Sequence, residues 1–354
     1  MELSNRKMDQ LDQKLLAQLQ VRGFQKSSTL AKGLSAGERT IHRRISAMKS
    51  KGLIKIVAVP NPVLLGCKGW AKIGIRVERT YVFSVARELV KHPSVYFVAY
   101  SLGTFDIIIA VQFDTIERLS SFVNSDLNSI KGVLSTETML LMYPRKYYNF
   151  SWPAPLTGET GGSLETSDSP GNYKVDETDR RIISVLKEDG LLRPKTVKTR
   201  LRLGESTVRK RIRSMLKAGA FTMEVVPNPE VLGSEVWATM GVTTNHQFAH
   251  EVIDTLLKHP AVYLAAVSLG RFNIILSARF HNIDQLHWFI NGELSKIEGV
   301  SSIETLLHSK PLKYHSITWP DSLNRGSSKP SSSDDLKGEG ISPLAELAKV
   351  GTAP

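Results

Sequence analysis

Two stretches of the 354-residue chain concentrate side chains able to hold nucleic acid. GERTIHRRISAMKSK at 37–51 and GESTVRKRIRSMLKA at 204–218 interleave basic and apolar residues at helical spacing. One turn of helix separates Thr40 from Arg43 and Arg44, so these side chains can enter one groove from a single exposed side. An arginine can fork onto guanine O6 and N7, whereas lysine and threonine more often hold phosphate. The candidates for DNA contact are therefore Arg39, Thr40, His42, Arg43 and Arg44, with Ser206, Thr207, Arg209, Lys210 and Arg211 in the second stretch. The plain alternative is a basic helix that faces only solvent.

The charge distribution agrees with a polyanionic partner. The formal net charge is +12. Residues 1–60 carry roughly +8 and residues 175–227 roughly +6, while everything else sums to about −2. A second kind of chemistry is available at two turns, SLGTFDI at 101–107 and SLGRFNI at 268–274. Glycine there supports a turn with positive φ that Asp106 can cap. The same carboxylate, with nearby backbone groups, could hold the α-amino group of a small molecule. His246 and His250 have metal-like i, i+4 spacing, but a third ligand is missing and the HExxH pattern is absent, so no metal site is expected. No Walker loop or GxSxG motif is present, and no catalytic residue is nominated. The single cysteine, Cys67, excludes an internal disulfide and a cysteine-rich zinc site. Neither a signal peptide nor an apolar run of about 18 residues is found, so a reducing cytoplasm is the expected setting, without membrane contact or cofactor.

The elements that must position these residues occur twice. LDQKLLAQLQVRG at 11–23 matches TDRRIISVLKEDG at 178–190, and VPNPVLLG at 59–66 matches VPNPEVLG at 226–233. KHPSVYFVAYSLGTFDIII at 91–109 matches KHPAVYLAAVSLGRFNIIL at 258–276. The offset is constant at about 167 residues, and roughly 54 of about 146 paired positions are identical. Each unit opens with helical spacing at Leu11, Leu15, Leu16 and Leu19, a short helix near 28–32 and a basic helix from about 37 to 51 closed by Gly52. This is a helix-turn-helix pattern. LIKIVAVPNP at 53–62 then reads as a strand pair or wing. The remainder alternates as β-α-β-β-α-β over 70–142, with one sheet face covered by helices and the other needing a partner.

These features, LAKGLSAGERTIHRRISAMKSKGLI at 30–54, the NPVLLG hinge, KHPSV, SLGTFDIII and GVLSTET among them, resemble the Lrp/AsnC (feast/famine) family of transcription regulators. The resemblance spans about residues 8–150 and again 175–317. It implies an α+β chain of two tandem units, each a winged helix-turn-helix domain followed by a ferredoxin-like domain. The expected division is 1–60 and 61–153, a linker at 154–174, 175–227 and 228–320, and a disordered tail at 321–354. PLAELAKV within the tail could form a short amphipathic helix. The resemblance further implies double-stranded DNA as partner, an amino acid or related effector, and self-association through the ferredoxin-like domains. In the family the SLGTFDI turn and the last strand line the effector pocket. That nominates Ser101, Gly103, Asp106, Thr136 and Thr138, with Ser268, Gly270, Asn273 and Thr305 in the second unit.

This chain departs from the family in having Gly37 and Gly204 where serine usually opens the recognition helix, Lys198 where the first copy has Ala31, and Asn273 for Asp106. Two other readings stand beside the regulator. One is an enzyme resembling siroheme decarboxylases, which would be expected to carry a histidine in the strand that here reads VYFVAYS and VYLAAVS. The other is an amino-acid sensor that never meets DNA, which would not need two basic segments.

Overall fold

The computed structural model describes residues 9–22, 27–145, 173–228, 236–259, 261–309, 311–314 and 317–318. The proposed linker, apart from residues 173–174, and the tail lie outside these residues.

Each copy begins with three helices around a small apolar core. In the first copy these are α1 (Gln10–Arg22), α2 (Ser27–Gly33) and α3 (Glu38–Ser50). Leu15, Leu16 and Leu19 of α1 meet Leu30 of α2 and Ile41, Ile45 and Met48 of α3, all buried. Helical spacing put these residues on one stripe per helix, and burying that stripe stabilises each short helix beyond what its propensity allows. The turn before α3 bends through Ser35 in the left-handed region (φ 50°). Arg202 does the same at the matched place in the second copy (φ 54°).

The strand that follows is not a wing. Among the described residues, β1 (Ile54–Pro60) has no hairpin partner in its own unit. It pairs antiparallel with β6 (Phe221–Pro227), its counterpart in the second copy, in a two-stranded sheet running from Ile54↔Pro227 to Pro60↔Phe221. The exchange extends into both cores. Val225 of β6 joins the core of the first head, and Ala58 of β1 joins that of the second. Asn228 N–H donates to Leu53 O at 2.8 Å and Asn61 N–H to Ala220 O at 2.9 Å, so the crossings are held alike at both ends.

After β1, the first copy runs β2 (Gly69–Val77), α4 (Val82–Lys91), β3 (Val95–Leu102), β4 (Ile107–Phe113), α5 (Ile116–Ser121) and β5 (Val133–Arg145). A π-helical turn at Phe122–Leu127 extends α5. In the second copy, α6 (Glu177–Glu188), α7 (Pro194–Leu201) and α8 (Glu205–Lys217) precede β6. They are followed by β7 (Val236–Thr244), α9 (Ala249–Leu256), β8 (Val262–Leu269), β9 (Ile274–Phe280), α10 (Ile283–Trp288) and β10 (Val300–His308). Two short strands, β11 (Lys313–Tyr314) and β12 (Ile317–Thr318), add to β3.

The two four-stranded sheets, ordered β5-β2-β4-β3 and β10-β7-β9-β8, are joined at both edges. β5 pairs with β8 through Leu140↔Leu269, and β3 with β10 through Leu102↔Leu307. Eight strands therefore close into a barrel. Helices α4 and α5 cover the outer face of the first sheet through Ile73, Ile75, Val85, Leu89, Ile107 and Leu119. The inner faces meet each other, which is the partner that the uncovered sheet face required.

Candidate nucleic-acid interface and effector turns

The recognition helices expose the side opposite their buried stripes. On α3, burial of Ile41, Ile45 and Met48 leaves Arg39, His42, Arg43, Ser46 and Ser50 exposed and Thr40 half-buried. On α8, burial of Val208 and Met215 leaves Ser206, Thr207, Arg209, Lys210, Arg213 and Lys217 exposed. Gly37 and Gly204 take extended N-cap geometry without a side-chain cap. The first-turn amides consequently keep no capping side chain between them and a phosphate oxygen. Arg209 forms an i, i+4 pair with Glu205 at 2.9 Å, which steadies it along its own helix.

Arg44 and Arg211 do a different job from the one their spacing suggested. Arg44 Nη1 donates to Asp9 Oδ2 at 2.6 Å and to Asp12 Oδ1 at 2.8 Å. Arg211 Nη1 donates to Asp176 Oδ2 at 2.7 Å and to Asp179 Oδ1 at 2.9 Å. Both guanidiniums turn towards the start of the first helix of their head and clamp the recognition helix against it. The Asp12 amide and then Arg44 hold the Asp9 carboxyl below its ordinary range, and the Asp179 amide and then Arg211 do so for Asp176. All three members of each clamp are identical in the two copies. Their charges are spent within the head, so these two arginines leave the set of groove-facing candidates. Arg213 and Lys217 enter it, because Ser206, Lys210, Arg213 and Lys217 form one outer ridge at i, i+4, i+7 and i+11. That spacing was readable in the sequence. At the matching places the first copy has Arg39, Arg43, Ser46 and Ser50, so the two ridges differ in charge.

The heads also touch through charge. Lys49 Nζ, at the end of α3, donates to both carboxylate oxygens of Asp189 just after α6, each at 2.9 Å.

The two glycine turns adopt the positive φ expected of them, 121° at Gly103 and 136° at Gly270. Asp106 Oδ2 accepts the Val77 N–H at 2.7 Å, and Asn273 Oδ1 accepts the Thr244 N–H at 2.9 Å. The two side chains thus perform the same turn-closing task, one charged and one neutral. Ser101 Oγ donates to Leu307 O at 3.2 Å, whereas the Oγ of its counterpart Ser268 is buried with no hydrogen-bond partner among the described residues.

Nominated residues from different copies come together here. Pairing of β3 with β10 sets Ser101 opposite His308, and Gly103 lies against Leu306, so the first turn abuts β10 of the second copy, which carries Thr305. Gly270 conversely lies against the carbonyl of Thr138 on β5 of the first copy. Thr136 and Thr138 pair with Ile75 and Ile73 inside their own sheet. Glu304 links both turns: Thr104 Oγ1 donates to its Oε1 at 3.1 Å, and Arg271 forms an ion pair with its Oε2. This acidic junction was not readable from residue spacing, because Glu304 and Thr104 lie 200 positions apart.

Among the described residues no helix is long and apolar enough to cross a membrane, and no group of three or more His, Cys, Asp or Glu side chains could hold a metal ion.

Comparison with known proteins gives consistent results. The Lrp/AsnC ligand binding domain matches residues 71–149 and again residues 238–318. The HTH-type transcriptional regulator FL11 of Pyrococcus furiosus is 33% identical over 140 residues, 39% of this chain and 92% of that protein. An uncharacterized HTH-type transcriptional regulator of the same organism is 32% identical over 141 residues, 40% of this chain and 95% of the relative. Each of these relatives thus corresponds to about one of the two copies. Among solved structures, the siroheme decarboxylase NirDL covers 89% of this chain and 96% of its own, with a TM-score of 0.55 and 15% identity, a likeness of fold alone. Duplicated domain, helix-turn-helix relatives and repeated motifs agree: the chain belongs to the Lrp/AsnC family.

Proposed function

We propose that this chain is a sequence-specific DNA-binding transcriptional regulator that carries two unlike DNA-reading heads in one covalent pair. The observation that carries the reading is the exchange of β1 and β6, which fixes two heads, each with an exposed basic recognition helix, on one ribbon. Residues 1–60 and 175–227 are the heads, and 61–153 and 228–320 are ferredoxin-like effector domains. Residues 154–174 are the linker, and 321–354 are the tail. Arg39, Thr40, His42 and Arg43 read one half-site, and Ser206, Thr207, Arg209, Lys210, Arg213 and Lys217 the other. The effector is an amino acid or a related small molecule held at the glycine turns, and further association of chains uses the ferredoxin-like domains. The protein acts in the cytoplasm without catalysing a reaction.

Unlike recognition helices predict an imperfect palindrome with half-sites one helical turn or a multiple apart, about 10 bp. Titration of genomic fragments at several salt concentrations tests this function. With about 6–10 phosphates contacted, affinity falls by about 10³–10⁵ between 50 and 200 mM salt. A flat salt response, or no binding to any fragment, overturns the regulator.

A further inference from the structure

Lys72 and Thr239 are separated by 167 positions, the offset of the repeat, and they touch. Residues at the same place in both copies can meet only on the axis that relates the copies. Lys72 of β2 and Thr239 of β7 thus mark that axis inside the barrel. Lys72 Nζ donates to Thr239 Oγ1 at 2.6 Å and sits 5.2 Å from the centre of the Phe97 ring. Thr239 Oγ1 is also 2.8 Å from His308 Nε2 and 3.4 Å from Ser277 Oγ. All four polar residues are buried.

Every polar member of this group lies where the copies differ. Thr239 replaces Lys72, Ser277 replaces Ala110, and His308 replaces Leu141. Much of the apolar lining is matched, as in Trp70 with Trp237, Ala99 with Ala266 and Ile108 with Ile275, although Phe97 beside Lys72 is replaced by Leu264. The polarity of this cluster is therefore one-sided. The first sheet supplies the ammonium group, and the second supplies the hydroxyls and the imidazole.

We infer that Lys72 is a pairing-specificity residue: it lets the first sheet close a barrel with the Thr239-bearing second sheet and denies it a second copy of itself. In a barrel made from two first sheets, the axis would bring Lys72 against Lys72. Each ammonium group would lose its hydroxyl acceptor and face a like charge away from water. Leu141 and Ala110 would stand where His308 and Ser277 now do, so the imidazole and hydroxyls of this cluster would be lost with Thr239. Burial alone already drives the Lys72 ammonium down to about 7, and a second one beside it compounds that cost. A barrel of two second sheets carries no such charge on the axis. Selectivity thus comes from a penalty against one wrong pairing as well as from attraction in the right one.

The full-length protein, with a protease site placed between residues 154 and 172, tests this after cleavage, unfolding in urea and refolding. Native mass spectrometry then counts the dimers of the two fragments. Unselective pairing would give first–first, unlike and second–second dimers in a ratio of about 1:2:1. The expected result is no first–first dimer from the unchanged protein and its appearance, at up to about one quarter of the total, with Lys72→Thr. First–first dimers in the unchanged protein at the unselective share, or none with Lys72→Thr, overturn the inference. A second measurement needs no cleavage. Thr239→Lys in the intact chain should lower the unfolding midpoint, and the swap Lys72→Thr with Thr239→Lys should recover most of the loss. An unchanged midpoint for Thr239→Lys overturns it as well.

Discussion

Val57 and Glu224 occupy the same position in the two copies and face each other at the centre of the ribbon that joins the heads. A symmetric pair would set two identical side chains there. Burial instead pushes the lone Glu224 carboxyl up to about 7, against a smaller opposing effect of the hydrogen bond with Thr222. A carboxyl raised on folding contributes stability that is present below its unfolded pKa and lost as pH rises through the folded value. Stability should therefore fall between about pH 4.5 and pH 7, by of the order of 2 kcal/mol. Urea unfolding across that range should show the loss, and Glu224→Gln should remove it.

The opposite slope is expected at higher pH. Desolvation lowers Lys72 to about 7 and Lys313 to about 8, so the unfolded chain binds protons that the folded chain does not. Stability should rise from about pH 7 towards pH 10, with a slope of up to about 1.4 kcal/mol per pH unit for each such group. Lys72→Met should flatten the lower part of this rise in the same unfolding experiment.

The clamp arginines and the ridge side chains should separate cleanly. Arg44→Ala and Arg211→Ala should lower the thermal midpoint, because each leaves two aspartates of the first helix without their cation. Arg43→Ala and Arg213→Ala should leave the midpoint nearly unchanged and weaken DNA binding by about tenfold each. If either side chain holds phosphate, the salt slope should drop by about one unit. Calorimetric melting and anisotropy titration on the same four variants provide the check.

The two effector turns should be unequal. Asp106 and Asn273 make the same backbone bond, yet only Asp106 brings a negative charge to meet an ammonium group. Arg271 stands beside Asn273 where the first copy has Thr104. Charge-assisted hydrogen bonds exceed neutral ones by roughly 1 kcal/mol or more, so Asp106→Asn should weaken amino-acid binding about tenfold with the fold intact. Titration calorimetry of the full chain against the standard amino acids would read this.

Helices, strands and their order were legible because apolar spacing records which face each element buries, as Ile41, Ile45 and Met48 do on α3. What β1 does was not, because alternation in IKIVAVP shows that a strand forms and says nothing about which strand it meets. The same gap explains Arg44. Spacing placed it one turn from Thr40, but the aspartates that claim it sit 32 and 35 positions away. The junction at Glu304 and the contact of Lys72 with Thr239 were equally hidden, since both exist only once the two sheets have closed. The doubling itself was plain, and Lys72 against Thr239 was readable as a difference between copies, though not as a contact.

The exchanged ribbon also sets the order in which the chain can mature on the ribosome. The core around Leu15 and Ile41 waits for Val225, which is made about 170 residues after the neighbouring Ile56. The first head must remain open-sided through most of synthesis, with part of its apolar core still uncovered. Both partner strands belong to one polypeptide, so completion depends on chain motion and not on protein concentration. Even a cell holding very few copies can finish each head, and it cannot finish the first before translation has passed through the second.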